Sequence, residues 1–317
     1  MVTVSVVIPN YNHAPFLEER IKSVLNQTYQ DFEIILLDDC SSDNSREILN
    51  SHKSHPKVSH VLLNDLNSGS TFKQWKKGAD IAIGKFIWIA ESDDACRADF
   101  LEKMVPLLES DKDIAMTFCQ SKKIDEKGHD LGSLISHTSE LNHYNWNEDF
   151  VADGNGFNLH AMSYMNAVPN ASAALISKQY LNEIIKNPVP FRLNGDWYVW
   201  IKLISDKKIA YLKEEMNYFR FHTSSVRSSF RDYELIAKEF SMLQKEIYKL
   251  THVRPGKNSQ QVLLTGWMYG YILDKSVSFK NKAKSLHQIL KFGNIPFSLV
   301  LDMFIKDKLL LLKILKS

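Results

Sequence analysis

The sequence predicts an α/β fold in which a mostly parallel sheet is wound with helices. Two observations carry this. Short apolar, β-branched runs alternate with helical patterns through the first third of the chain, and three of those runs end in polar or acidic residues. Val4 to Ile8 is near-continuously apolar and closed by Pro9, which suits a strand covered on both faces. Pro15 opens a helical pattern in which Phe16, Leu17, Ile21, Val24 and Leu25 recur at helical spacing. The second strand, Phe32 to Leu37, ends in Asp38-Asp39, and the capping side chains of Ser41 to Ser45 start a short helix. Val58 to Leu63 is a third strand. Asn67-Ser68-Gly69 is a turn, a helix follows to about Ala82, and Gly84 separates it from Phe86-Ile87-Trp88-Ile89-Ala90. That last strand runs directly into Glu91-Ser92-Asp93-Asp94.

Ile114 to Cys119, Ala173 to Ile176, Ile209 to Leu212 and Met216 to Phe221 read as further strands. Between about Gly132 and Met165 the periodicity is weak, which predicts long loops and a short helix forming one wall of a cleft. Gly195-Asp196 opens a helix with Trp197, Trp200, Ile201 and Ile204 on one face. Composition shifts near Ser228, dividing the chain into a sheet domain over 1–228 and a helical C-terminal extension over 229–317. Helices are expected there over about 233–250, 259–273, 280–292 and 297–315. The last mixes leucines with Lys306, Lys308, Lys313 and Lys316. It reads either as an appendage packed on the sheet domain or on a second subunit in a homodimer, or as a basic amphipathic surface making peripheral contact with anionic lipid.

The 317 residues suffice for one large domain with an extension, or for two domains. Hydrophobic content of 44% and charged content of 24% are those of a folded globular chain. A formal net charge of +2 gives no case for a nucleic-acid partner. Cys40, Cys96 and Cys119 are widely spaced and odd in number, so neither a disulfide framework nor a zinc site is implied. No secretory leader precedes the first strand and no apolar run approaches bilayer length, so a reducing, cytoplasmic location is expected.

The acids after the fourth strand carry the chemistry. Folding alone gives little reason to set carboxylates side by side at the mouth of a core strand. A divalent cation, Mg²⁺ or Mn²⁺, would offset their repulsion, because such ions take oxygen ligands from one or two carboxylates and from phosphates. The alternative is a solvated turn that caps the next helix. Ligands of wound sheets bind beyond the carboxyl ends of the strands. Pro9-Asn10-Tyr11-Asn12, Asp38-Asp39 and Glu91 to Asp94 all fall at that edge.

Five segments, in order, resemble the motifs of family 2 glycosyltransferases. Val6-Val7-Ile8-Pro9-Asn10-Tyr11-Asn12 resembles the opening strand, and Asp38-Asp39-Cys40-Ser41-Ser42-Asp43 the Asp-Asp-x-Ser-x-Asp segment. Gly84 to Asp94 is similar to the stretch bearing the family's DxD metal motif. Asn194-Gly195-Asp196-Trp197 is similar to its Glu-Asp segment, and Tyr218-Phe219-Arg220-Phe221-His222-Thr223-Ser224-Ser225 to its Tyr-x-Arg-x-His-x-x-Ser strand. The resemblance implies a GT-A fold, a nucleotide-sugar donor, a divalent metal, and inverting transfer to a glycan or lipid-linked acceptor. It implies Asp93 as the main metal ligand with His222 completing the shell or touching the diphosphate. Asp39 would accept a hydrogen bond from a base imide, as in UDP- or dTDP-sugars. Pro9 and Tyr11 would shape the base pocket with Asn12, Glu91 and Ser92 would lie near ribose or water ligands, and Asp196 would be the base. Lys76 or Lys77 would reach the phosphates, unless both stay as solvated lysines on their helix.

The chain departs from the pattern at three places. Glu91 stands where an aspartate is common, Gly195 replaces the first acid of the Glu-Asp pair, and Phe72 to Gly78 lacks the usual arginine or asparagine. No Gln-x-x-Arg-Trp motif of processive synthases is present, which points to single additions. The competing readings are a sugar-phosphate nucleotidyltransferase, which would need a glycine-rich loop after the first strand, and a non-catalytic nucleotide-sugar-binding module.

Overall fold

The computed structural model describes residues 2–222, 233–254 and 278. The first half is a wound sheet: β1 (Val4–Asn10), α1 (Ala14–Leu25), β2 (Phe32–Asp38), α2 (Ser45–Ser51), β3 (Val58–Leu63), α3 (Thr71–Ile81) and β4 (Phe86–Ile89). After it come β5 (Ala95–Cys96), α4 (Phe100–Ser110), β6 (Ile114–Ile124), β7 (Asp130–Ser133), α5 (Ile135–Thr138), β8 (Phe150–Asp153) and α6 (Gly154–Phe157). β9 (Ala174–Ser177), α7 (Lys178–Ile185), α8 (Gly195–Ile204), β10 (Lys208–Arg220) and α9 (Tyr233–Thr251) follow.

The main strand order is β3-β2-β1-β4-β9-β6-β10-β5. β3, β2, β1 and β4 run parallel, as do β6 and β10, while β9 is antiparallel between β4 and β6. Every residue of β1 and β2 is buried. Alternation splits them between two cores: Val4, Val6, Ile8, Ile34 and Leu36 face one side, and Val7, Ile35 and Leu37 the other. Gly78 lets α3 lie against β1, since a Cβ there would come within 2.4 Å of Val7 Cγ1. Pairing of β4 with β1 ends at Val7–Ile89, so Pro9 sits where β1 has a neighbour on the β2 side only, a position that tolerates a missing N–H.

Two expectations are corrected. Ile209–Leu212 and, of the expected run Met216–Phe221, the residues Met216–Arg220 belong not to two strands but to the single strand β10, whose register against β6 slips between Leu212 and Asn217. The polar insert Lys213-Glu214-Glu215 breaks the apolar pattern there, and the irregularity absorbs it without ending the pairing. The segment read as long loops and a short helix over about 132–165 holds short helices, α5 and α6, but also β8 and part of β7. Its aromatics, Tyr144, Trp146, Phe150 and Phe157, pack together and onto Tyr211 of β10 rather than following a helical or strand period.

α9 is built into the core through Phe240, Leu243 and Ile247. The expected helices over 259–273, 280–292 and 297–315, with the lipid and homodimer roles given to them, lie outside the described residues, as does the boundary at 228. Among the described residues, no helix is long and apolar enough to cross a membrane.

Candidate active site

The carboxyl ends of β1, β2 and β4 meet the end of β10 at one rim. The opening loop turns through Asn12, whose φ of 57° is left-handed, a region that asparagine tolerates. Asn12 Oδ1 accepts the Ser42 amide at 2.8 Å, and Asn10 Nδ2 donates to Asp38 Oδ1 at 3.0 Å, so the β1 and β2 ends are clamped together. Asp38 is fully buried and also accepts from the Ser41 amide, the Ser41 hydroxyl and Arg46 Nε, which makes it a scaffold residue. Asp39 is held differently. Its Oδ1 accepts from Asn64 Nδ2, the Ser68 amide and Gln74 Nε2 at 2.7–2.9 Å, whereas its Oδ2 accepts from the Ser68 hydroxyl. A carboxylate oxygen with one donor retains capacity for another. Tyr11 is 48% exposed on the same rim.

The acidic turn after β4 separates into three environments. Glu91 Oε1 accepts from Trp75 Nε1 at 3.0 Å, and burial, with repulsion from Asp93, pushes this carboxyl up to about 8. Trp75 also stacks on Trp200 of α8, with ring centroids 5.7 Å apart. Asp94 does not cap a helix, contrary to expectation. α4 begins only at Phe100, and Asp94 accepts from Asn170 Nδ2 at 2.6 Å and from the Arg220 amide at 3.0 Å. Burial and then Asp93 push Asp94 up to about 7. Asp93 is the one held low: burial opposes its ionisation, but the His222 hydrogen bond and the nearby His13 outweigh it.

His222 Nε2 lies 2.9 Å from Asp93 Oδ2, which raises the histidine's pKa. His13 Nδ1 lies 2.8 Å from Ser92 Oγ, and burial lowers its pKa. His13, Asp93 and His222 each offer a ligand atom, and these atoms all fall within 4.8 Å of one another. One carboxylate with two imidazoles in that space is a donor set fit for a divalent cation. His13 was missed in the sequence. The available signal was its place directly after the Asn10-Tyr11-Asn12 loop, at the strand edge where wound sheets bind ligands.

Asp196 lies in the first turn of α8, and Asn166 Nδ2 donates to its Oδ2 at 2.9 Å. The loop before it is anchored by α9: Glu239, 2% exposed, accepts from the amides of Arg192, Leu193 and Asn194 and from Asn194 Nδ2. Lys76 pairs with Asp80 on the exposed side of α3, and Lys77 reaches Asn64 Oδ1.

The glycosyl transferase family 2 model matches residues 5–164, half of the chain. The chain belongs to this family. It is a glycosyltransferase, and its motifs resemble those of the family in the right order. Among relatives, the family 2 chain is 25% identical over 227 residues to the "putative teichuronic acid biosynthesis glycosyltransferase TuaG" of Bacillus subtilis, covering 71% of this chain and 82% of TuaG. It is 36% identical over 114 residues to the glycosyltransferase GlyG of Streptococcus pneumoniae, covering 36% of this chain but only 38% of GlyG. The fold matches the crystal structure of residues 1–349 of S. aureus TarS in complex with UDP-GlcNAc with a TM-score of 0.67 at 15% identity, over 94% of this chain and 83% of that one. The GT-A architecture expected from the motifs is therefore the fold of this glycosyltransferase.

Proposed function

We propose that this family 2 glycosyltransferase moves one sugar at a time, with inversion, from a UDP- or dTDP-linked donor to a hydroxyl of a glycan or lipid-linked acceptor in cell-envelope polysaccharide synthesis, on the cytoplasmic side. The observation that carries the reading is the 2.9 Å pairing of Asp93 with His222, 129 residues apart in the chain, at the same rim as Asp39. The UDP-GlcNAc complex of TarS and the assignment of TuaG support the donor and acceptor classes.

In this reading Asp39 accepts the imide N–H of the base through its less occupied Oδ2, with Pro9, Tyr11 and Asn12 around the ring. Glu91 and Ser92 border the ribose side. Asp93 and His222 hold a divalent cation, Mn²⁺ or Mg²⁺, which when bound supplies Lewis-acid stabilisation of the departing diphosphate. Asp196 takes the proton of the acceptor hydroxyl as its oxygen bonds the anomeric carbon, and the electron pair of the breaking C–O bond leaves with the diphosphate. Asn166 holds the Asp196 carboxylate by donating to Oδ2.

A panel of nucleotide sugars assayed for metal-dependent hydrolysis and transfer tests this. Asp93→Ala weakens donor and metal binding together. Asp196→Asn keeps donor affinity and loses about 10²–10⁴ in turnover, the usual contribution of a positioned base. Full turnover by Asp196→Asn removes the base assignment, and indifference of every donor to Asp93→Ala removes the reading.

A further inference from the structure

We propose that His13 is a third protein ligand of the cation, completing a set of one carboxylate and two imidazoles that favours Mn²⁺ over Mg²⁺. This rests on the reading above that Asp93 and His222 hold a divalent ion. His13 belongs to none of the family motifs in the chain, so its assignment comes from geometry alone.

His13 occupies the N-cap position of α1, yet its side chain makes no capping hydrogen bond. The ring turns instead to the acidic turn, where Nδ1 meets Ser92 Oγ at 2.8 Å. With the hydroxyl accepting Nδ1–H, Nε2 keeps the lone pair that a metal needs, and the second bond fixes the ring as outer-shell partners do for ligating histidines. His13 and His222 stand edge to face, with centroids 5.4 Å apart and planes at 87°. Phe16 packs on His222 at 5.0 Å and His13 at 6.3 Å, an apolar floor that limits both rings.

The spacing suits an ion of ordinary size. Ligands about 2.1 Å from a cation are roughly 3 Å apart when adjacent and about 4.2 Å when opposite. Asp93 Oδ2 and His222 Nε2, hydrogen-bonded at 2.9 Å, would stand at the adjacent distance once the shared proton leaves for the ion. The 4.8 Å limit on the trio exceeds the opposite distance by only a few tenths of an ångström, which side-chain rotation closes. Mg²⁺ prefers oxygen and water, whereas imidazole nitrogen suits transition ions, so a second histidine shifts the preference toward Mn²⁺.

Pulsed electron paramagnetic resonance of Mn²⁺ bound to the full chain reads the ligand nitrogens directly, and Mn²⁺ and Mg²⁺ affinities are measured alongside. The wild type is expected to show modulation from two histidine nitrogens. His13→Gln should keep one of them and bind Mn²⁺ about tenfold or more weakly, an effect at least as large as loss of an outer-shell partner. His13→Asp, which keeps a ligand but changes its type, should retain Mn²⁺ binding and gain affinity for Mg²⁺. Two-nitrogen modulation that survives in His13→Gln, or a wild type showing one nitrogen, overturns the role of His13 while leaving Asp93 and His222 in place. A wild type that binds no Mn²⁺, with or without UDP, overturns this proposal and the cation reading together.

Discussion

Phe72 fills the space that a side chain at Gly195 would need. A Cβ built on Gly195 would lie 2.3 Å from both Cε2 and Cζ of the Phe72 ring and 3.0 Å from Val189 Cγ1. Two departures from the family pattern, a phenylalanine in α3 and a glycine before Asp196, are thus one packing arrangement. A side chain at position 195, which the motif resemblance aligns with the first acid of the Glu-Asp pair, would meet the Phe72 ring. Asp196 has Asn166 as a neighbour on its Oδ2.

The two positions should therefore be coupled. Gly195→Ala is expected to destabilise by about 1–3 kcal/mol, the usual cost of overpacking a core. Phe72→Ala alone opens a cavity and costs about 3–5 kcal/mol. In the double variant the added methyl enters the vacated space, so its cost should fall short of the sum of the two single costs by about 0.5–3 kcal/mol, the range for residues in contact. Denaturant unfolding of the four proteins measures the cycle, and strict additivity would show that the ring does not govern position 195.

Arg220 fixes the acidic turn from below. Its side chain is fully buried, and Nε donates to the Asp93 carbonyl at 2.8 Å while Nη1 donates to the Asp125 carbonyl at 2.9 Å. Nη2 meets Glu19 Oε2 at 2.6 Å, and the guanidinium lies over the Phe16 ring. A lysine carries its three donors on one nitrogen and cannot reach acceptors that are met here by three separate nitrogens of the guanidinium. Arg220→Lys is expected to lower stability by about 1.5–3 kcal/mol, the range for charged hydrogen bonds, and to weaken UDP binding in the presence of Mn²⁺. Calorimetric titration and thermal melts check both. Unchanged UDP affinity in a destabilised variant would make Arg220 a fold residue only.

Much of this was legible in the sequence where the chemistry is local. The β1, β2 and β4 runs are apolar because both faces are covered, and strand order then delivers Asn10, Asp39 and Asp93 to one edge. What was not legible depends on partners distant in sequence. Nothing near Glu91 announces the indole of Trp75, and nothing near Asp94 announces Asn170 or the Arg220 amide, so a helix-capping role looked natural. β7 and β8 escaped because short edge strands carry too few alternations to stand out, and Phe150 of β8 answers to Tyr211 of β10. Gly195 looked like the loss of an acid, and nothing near it in sequence announces the Phe72 ring.

α9 also reaches the proposed base. Glu239 gathers the amides of Arg192, Leu193 and Asn194, the residues that lead into α8 and Asp196. Three successive N–H groups pointing at one point form an anion-binding concavity, and here the anion is a side chain of α9. Trp197, one residue past Asp196, packs edge-on against Phe240 at 5.5 Å, so α9 holds this turn by polar and apolar contacts together. Glu239→Gln keeps the shape but replaces one acceptor oxygen by a donor that faces N–H groups. The expected cost is about 1–3 kcal/mol for the buried donors left unpaired. Because the loop sets the first turn of α8, kcat should fall further than donor affinity. Steady-state kinetics beside donor titration separates the two, and a variant with lowered melting temperature but unchanged kcat would show that α9 supports the fold without setting the position of Asp196.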